Sequence, residues 1–149
     1  FPCIVILPQC QPDHRWEHAS MVRMAMASLA DAQSAYRIDP RRIALTGLSL
    51  GGFGTWKLGA EHGEKFCALG PICGGGDVAS AAALAKTPVW CFHGAADPVV
   101  PVEESRDMVA AVQAAGGDVR YIEFPGVGHN AWDPAYNNPK FVAWLLEKR

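Results

Sequence analysis

Short apolar runs alternate along this chain with longer stretches in which apolar positions recur every three or four residues. Residues 3–7, 42–48, 66–72, 89–93 and 119–124 are mostly apolar, and Pro, Gly or Asp stands close to most of their ends. Runs of that length and composition predict strands. Between them, residues 17–36 place Met21, Ala25, Leu29 and Ala32 on one face of a long helix. Residues 50–62, 77–85, 103–115 and 138–148 also read as helices. Gly116-Gly117 stops the fourth of these five helices, and Asn138 caps the last, with Pro139 at its first position. Asp39-Pro40 reads as a turn and Gly74-Gly75-Gly76 as a loop. Strand and helix signals alternate throughout, which predicts an α/β fold: a mostly parallel sheet of about five strands with flanking helices. No repeat, low-complexity tract or linker interrupts it, so residues 1–149 are expected to form one domain.

Composition narrows the classes. Half of the 149 residues are hydrophobic, enough for a sizeable core, and 13 basic against 15 acidic side chains leave a net charge of −2. That balance points to neither a nucleic-acid surface nor a polyanionic partner. No apolar run approaches the roughly 20 residues of a membrane span, so no membrane partner is expected. The chain opens on Phe1 rather than methionine. It is therefore read as a processed product, a fragment or a trimmed chain, with a cytoplasmic location only slightly favoured over a secreted one. Five cysteines is an odd number, without disulfide-framework spacing and without a C-x-x-C pair; one bridge involving Cys10 or Cys73 stays open. Neither a metal nor another cofactor is expected. His14 and His18 are four apart, but they are only two ligands, and Asp13 and Glu17 beside them read as helix-start acids.

The chemistry concentrates at three strand ends. Gly47-Leu48-Ser49-Leu50-Gly51 lies between the 42–48 run and the 50–62 helix. A G-x-S-x-G there predicts a nucleophile elbow, a strained turn that lifts the serine hydroxyl above the sheet. Gly47 and Gly51 are expected to be required because a Cβ would strike the neighbouring strand or helix. The Leu50 N–H would face a developing oxyanion. Taken alone, the motif also fits a plain Gly/Ser turn. However, Asp97 follows strand 89–93 and His129 follows strand 119–124, in the order serine, acid, histidine. Parallel strands bring such ends to one edge, where a carboxylate can orient the imidazole that activates the serine. Asp77, one strand earlier, is the alternative acid. His93 is expected to orient the Asp97 loop or pack at the strand end rather than act as base. Trp16, Trp56 and Trp132 could line a substrate pocket or belong to the core; Trp90 and Trp144 read as core.

From about residue 39 onward the chain resembles the C-terminal part of an α/β-hydrolase. Gly-Leu-Ser-Leu-Gly-Gly at 47–52, His-Gly-Ala-Ala-Asp-Pro-Val-Val-Pro at 93–101 and Gly-Val-Gly-His at 126–129 carry the resemblance. The groups it is similar to are small carboxylesterases of dienelactone-hydrolase, feruloyl-esterase and prolyl-oligopeptidase-like type. The resemblance implies Ser49 as nucleophile, Asp97 as acid and His129 as base, acting on a small-molecule ester. It also implies a shortened fold: the strands before 3–7 and the His-Gly loop that donates the second oxyanion N–H have no counterpart here. The end of the first strand, at Gln9 and Cys10, is the local substitute to examine. The missing strand lies in the family between the counterparts of 3–7 and 42–48, so that gap must be closed by direct pairing, left open or filled by another chain. The last helix would cover one sheet face alone, and the exposed face or edge predicts a homodimer or larger assembly. Three functions fit: a serine carboxylesterase on small or carbohydrate-linked esters, an acyltransferase or peptidase with the same triad, and a weak or inactive remnant serving binding or assembly.

Overall fold

β1 (Ala44–Leu48), β2 (Ala68–Ile72), β3 (Val89–Gly94) and β4 (Val119–Phe124) lie side by side in that order, and every pairing is parallel. The computed structural model describes residues 3–147. Each crossover between strands carries helix: α2 (Leu50–His62), the short α3 (Ala81–Leu84) and α4 (Glu103–Ala114), while α1 (Ala19–Ala35) precedes the sheet. After β4 come α5 (Trp132–Tyr136) and α6 (Pro139–Glu147). In α6 the Asn138 side chain accepts a hydrogen bond from the Lys140 amide at 3.0 Å, satisfying one of the donors a helix start leaves free. Lys148, the predicted last residue of that helix, lies outside the described residues.

The period-two alternation of the strands divides the core in two. Leu69, Val89 and Cys91 face one side and pack with Met21, Val22, Ala25 and Leu29 of α1, Trp56 and Leu58 of α2, and Met108, Val109 and Val112 of α4. Ala68, Ile72, Trp90 and Phe92 face the other side and pack with Ala135, Phe141, Trp144 and Leu145. Here the aromatic rings interlock: Phe92 and Phe141 meet edge to face at 4.6 Å, and Trp90 meets Trp144 at 5.6 Å. The last helix does not cover this face alone, as the pattern suggested, because α5 joins it.

The sheet has four strands among the described residues, not about five. Residues 3–7 form no strand: Ile4, Val5 and Leu7 stand 50%, 68% and 86% exposed. A strand is completed by a neighbour's ladder, and neither β1 nor any other described strand pairs with this segment, so direct pairing does not close the gap. The predicted 77–85 helix is a single 3₁₀ turn at Val78–Ser80 running into α3. None of the five cysteines is in a disulfide.

Candidate active site

The turn from β1 to α2 places Ser49 where left-handed backbone is needed: its φ is 52° and ψ −118°. A non-glycine residue there is strained, and the surroundings hold it. The Ser49 amide donates to the Ile72 carbonyl at 2.9 Å, and the Ser49 carbonyl accepts from Gly52 and Phe53. A Cβ on Gly47 would collide with the Gly51 carbonyl, so the turn admits only glycine at 47. Gly51 differs from the expectation. A Cβ there would meet open space; the crowded position is Gly52, where it would lie 2.5 Å from the Ile72 carbonyl oxygen. It is Gly51's backbone that Gly47 must clear, whereas Gly52 is the residue that turns inward against β2.

Three strand ends bring Ser49, Asp97 and His129 together. His129 Nε2 lies 2.8 Å from Ser49 Oγ, and its Nδ1 lies 2.7 Å from Asp97 Oδ2. Asp97 Oδ1 accepts from the Val99 and Val100 amides at 2.8 and 3.0 Å, and the side chain has no solvent exposure. Burial alone would raise this carboxyl. The hydrogen bonds from His129, Val100 and Val99 outweigh it and hold the carboxyl below the ordinary carboxylate value. The loops are tied at the backbone as well: Ala95 and Ala96 donate to the Phe124 and Val127 carbonyls. Asp77 stands elsewhere, exposed, accepting from the Ala79 amide at the start of a 3₁₀ turn.

A cleft of about 290 Å³ opens beside Ser49, bordered by Arg15, Leu50, Phe53, Val99 and Glu104. The Arg15 guanidinium sits 5.6 Å over the Phe53 ring. Sequence reasoning missed Arg15, Phe53 and Glu104. Phe53 was findable, because it follows Ser49 by four residues and so shares its helix face. Gln9 and Cys10 do not border this cleft. The Cys10 thiol donates to the His14 carbonyl at 3.3 Å, and its side chain packs on the core. Of the tryptophans, only Trp132 is near the histidine, meeting the His129 ring edge to face at 5.3 Å. Trp16 and Trp56 are core residues, 8% and 1% exposed.

Among the described residues, Cys73, Asp97 and His129 alone bring three metal-ligand atoms within 4.8 Å of one another. Asp97 and His129 are already bonded to each other. Burial pushes the Cys73 thiol up to about 11, so it is neutral there, and it donates to the His129 carbonyl at 3.3 Å. His14 and His18 pack ring to ring outside α1, with no third ligand.

This arrangement has relatives. The description of the dienelactone hydrolase family matches residues 11–139, nearly the whole chain. The chain belongs to the dienelactone hydrolase family. A solved thermostable esterase superposes on this family member with a TM-score of 0.90 and 37% identity over 94% of the chain. The structure of esterase PE8 gives 0.68 and 25% over 85% of the chain and 61% of its own length. Acyl-protein thioesterase 1 of Gibberella zeae is 35% identical over 105 residues, 63% of the chain. The chain spans 42% of the thermostable esterase and 43% of the thioesterase.

Proposed function

We propose that this protein is a serine carboxylesterase acting on small or carbohydrate-linked carboxylic esters through an acyl-enzyme on Ser49. The observation that carries the reading is the single imidazole of His129, in hydrogen-bond contact with Ser49 on one nitrogen and Asp97 on the other. Asp97 accepts from Nδ1–H, which leaves Nε2 free to take the serine proton. Ser49 Oγ then attacks the ester carbonyl carbon, and His129 returns the proton to the departing alcohol. Water repeats the sequence on the acyl-enzyme and releases the acid. The Leu50 N–H, at the first position of α2, has no intrahelical partner and serves the oxyanion. Neither Gln9 nor Cys10 is positioned in the cleft as its second donor. One oxyanion donor is worth about 2.7–4 kcal/mol of transition-state stabilisation, so with Leu50 as its one donor among the described residues, the 149-residue chain alone should turn over modestly, best on activated aryl esters and poorly on amides. Trp132 is the aromatic candidate for substrate contact. A thioester, the bond named in the Gibberella relative, could enter the same acyl-enzyme path, and an acyl acceptor other than water would make the protein a transferase.

A fluorophosphonate probe tests the reading. Covalent labelling at Ser49, lost in Ser49→Ala, supports the esterase. Silence supports the second reading, a hydrolase remnant used for binding or assembly. The exposed Ile4, Val5 and Leu7 further support self-association. Sedimentation should give a mass above the 16.0 kDa of one chain; a stable monomer at micromolar concentration would remove that part. No helix among the described residues is long and apolar enough to cross a membrane.

A further inference from the structure

The carboxylate of Asp97 has a second imidazole beside it. His93, the next-to-last residue of β3, is fully buried, and its Nε2 lies 3.3 Å from Asp97 Oδ2, the same oxygen that meets His129. That nitrogen also lies 3.1 Å from the Val100 carbonyl oxygen. A carbonyl only accepts, so Nε2 carries a proton and gives it to Val100, while Asp97 Oδ2 lies beside that N–H as a close electrostatic neighbour. On the other side of the ring, Nδ1 stands 2.8 Å from Ser105 Oγ in α4, whose one hydroxyl proton also has the Gly74 carbonyl within reach at 2.8 Å. Ser105 too is fully buried. One continuous set of contacts thus joins the loop after β2, the start of α4, the end of β3 and the acid loop.

We infer that His93 is a positioning residue for the proposed reaction: its Nε2–H anchors the Val100 carbonyl, whose own amide holds Asp97, and sets a positive N–H dipole beside the carboxylate that meets His129, while Ser105 fixes the ring. The inference rests on the reading of Asp97 as the group that supports His129. Its consequence is electrostatic. A carboxylate with a second N–H dipole beside it attracts the His129 proton less. Removing His93 therefore strengthens the pull of Asp97 on that proton. The other ionisable groups near His93 on the elements around it are few. Glu123, its register partner on β4, is held below the ordinary carboxylate value by Arg106 of α4. Cys73 lies against Asp97 and Cys91 close to Ser105, both thiols kept neutral by burial, at about 11 and about 12. None of these changes charge between pH 5 and 8, so a movement of the acid limb in that window does not come from them.

The test is the pH profile of kcat/KM, per site labelled by fluorophosphonate, for His93→Ala, His93→Gln and Ser105→Ala. His93→Ala should lower kcat per labelled site roughly ten- to a hundredfold, with KM within about twofold because His93 does not border the cleft. It should also move the acid limb upward by about half to one pH unit. His93→Gln, whose amide nitrogen can stand where Nε2 stood, should restore most of kcat and return the limb toward its original place. Ser105→Ala should shift the limb in the same direction as His93→Ala, by less. A residue needed only for packing would lose folded protein in all three variants and leave both kcat per labelled site and the limb unchanged, which would overturn the inference. If His93→Ala does not fold, ¹⁵N-edited NMR of the histidine rings in the Ser49→Ala protein decides the first step: an unprotonated His93 Nε2 overturns it. Asp97→Asn run in parallel separates the two readings. If that variant keeps full activity, the triad assignment fails, whatever the state of the His93 ring.

Discussion

Residues 3–7 and Val89–Gly94 have much the same apolar character and opposite fates. β3 sits between two parallel neighbours and every one of its residues is buried. The 3–7 segment, Cys-Ile-Val-Ile-Leu, lies without a ladder and leaves three large apolar side chains in water. The difference lies in the neighbours and not in the side chains. A strand's hydrogen bonds and half its burial are supplied by the chain next to it, and among the described residues 3–7 has no such neighbour. Function follows the same division. Asp97 and His129 leave the ends of β3 and β4, where loops are tied by paired backbone, and their distances are short. The residues expected to complete the oxyanion hole, Gln9 and Cys10, follow the unpaired segment and do not border the cleft.

The sharpest way to break this comparison is at the acid. Asp97→Asn should lower kcat on the order of 10³–10⁴-fold by misorienting the imidazole. Asp77→Asn should change it by less than about twofold, because Asp77 caps an exposed turn. Steady-state rates on an aryl ester decide; equal losses would dissolve the distinction between the two strand ends. Next is the elbow. Gly47→Ala must move the Gly51 carbonyl and with it Ser49, and a displacement near 1 Å costs about a hundredfold in kcat. Gly51→Ala meets open space at ordinary φ, so activity should stay within a fewfold and the melting temperature should hold or rise.

The two regions also differ in what a side chain contributes to stability. Phe141→Ala removes a ring buried against Phe92 and Trp90, and urea unfolding should show a loss of about 3–5 kcal/mol. Leu7→Ser should change stability by no more than about 0.5 kcal/mol in a monomer. A larger loss that disappears on dilution would instead mark Leu7 as an interface residue. The smallest effect is in acid. Asp97 and Glu123 both have carboxyls depressed in the folded state, from unfolded values near 3.8 and 4.5. Their contribution is full above those unfolded values and lost as pH falls through the lower folded ones. The urea midpoint should therefore fall between pH 5 and pH 2, and Asp97→Asn should flatten that slope. A slope unchanged by Asp97→Asn would assign the acid sensitivity elsewhere.

Legibility in the sequence followed the range over which each feature is decided. α2 and β4 run over the residues the pattern predicts, because spacing and flanking turn residues decide them locally. That Ser49, Asp97 and His129 would meet was visible for the same reason: a strand end followed by a loop carrying Ser, Asp or His is a short-range signal. The 3–7 segment was misread because pairing is a long-range property. α5 was missed because a five-residue helix containing Pro134 has no full period to detect. Gly51 was credited with crowding that belongs to Gly52, since one residue along a helix start rotates a Cβ by about 100°. His93 and Ser105 are twelve residues apart, and their contact exists only once α4 has folded back on β3.

Cys73 carries a last consequence. It sits at φ 49°, wholly buried, with its thiol spent on the His129 carbonyl and kept protonated at any pH where a histidine base works. Alkylating reagents and peroxide react with thiolates, so this sulfur, although packed against both Asp97 and His129, is chemically mute. A cysteine-modification assay would report first on exposed Cys3, and resistance to such reagents would say nothing about how close a cysteine lies to Asp97 and His129.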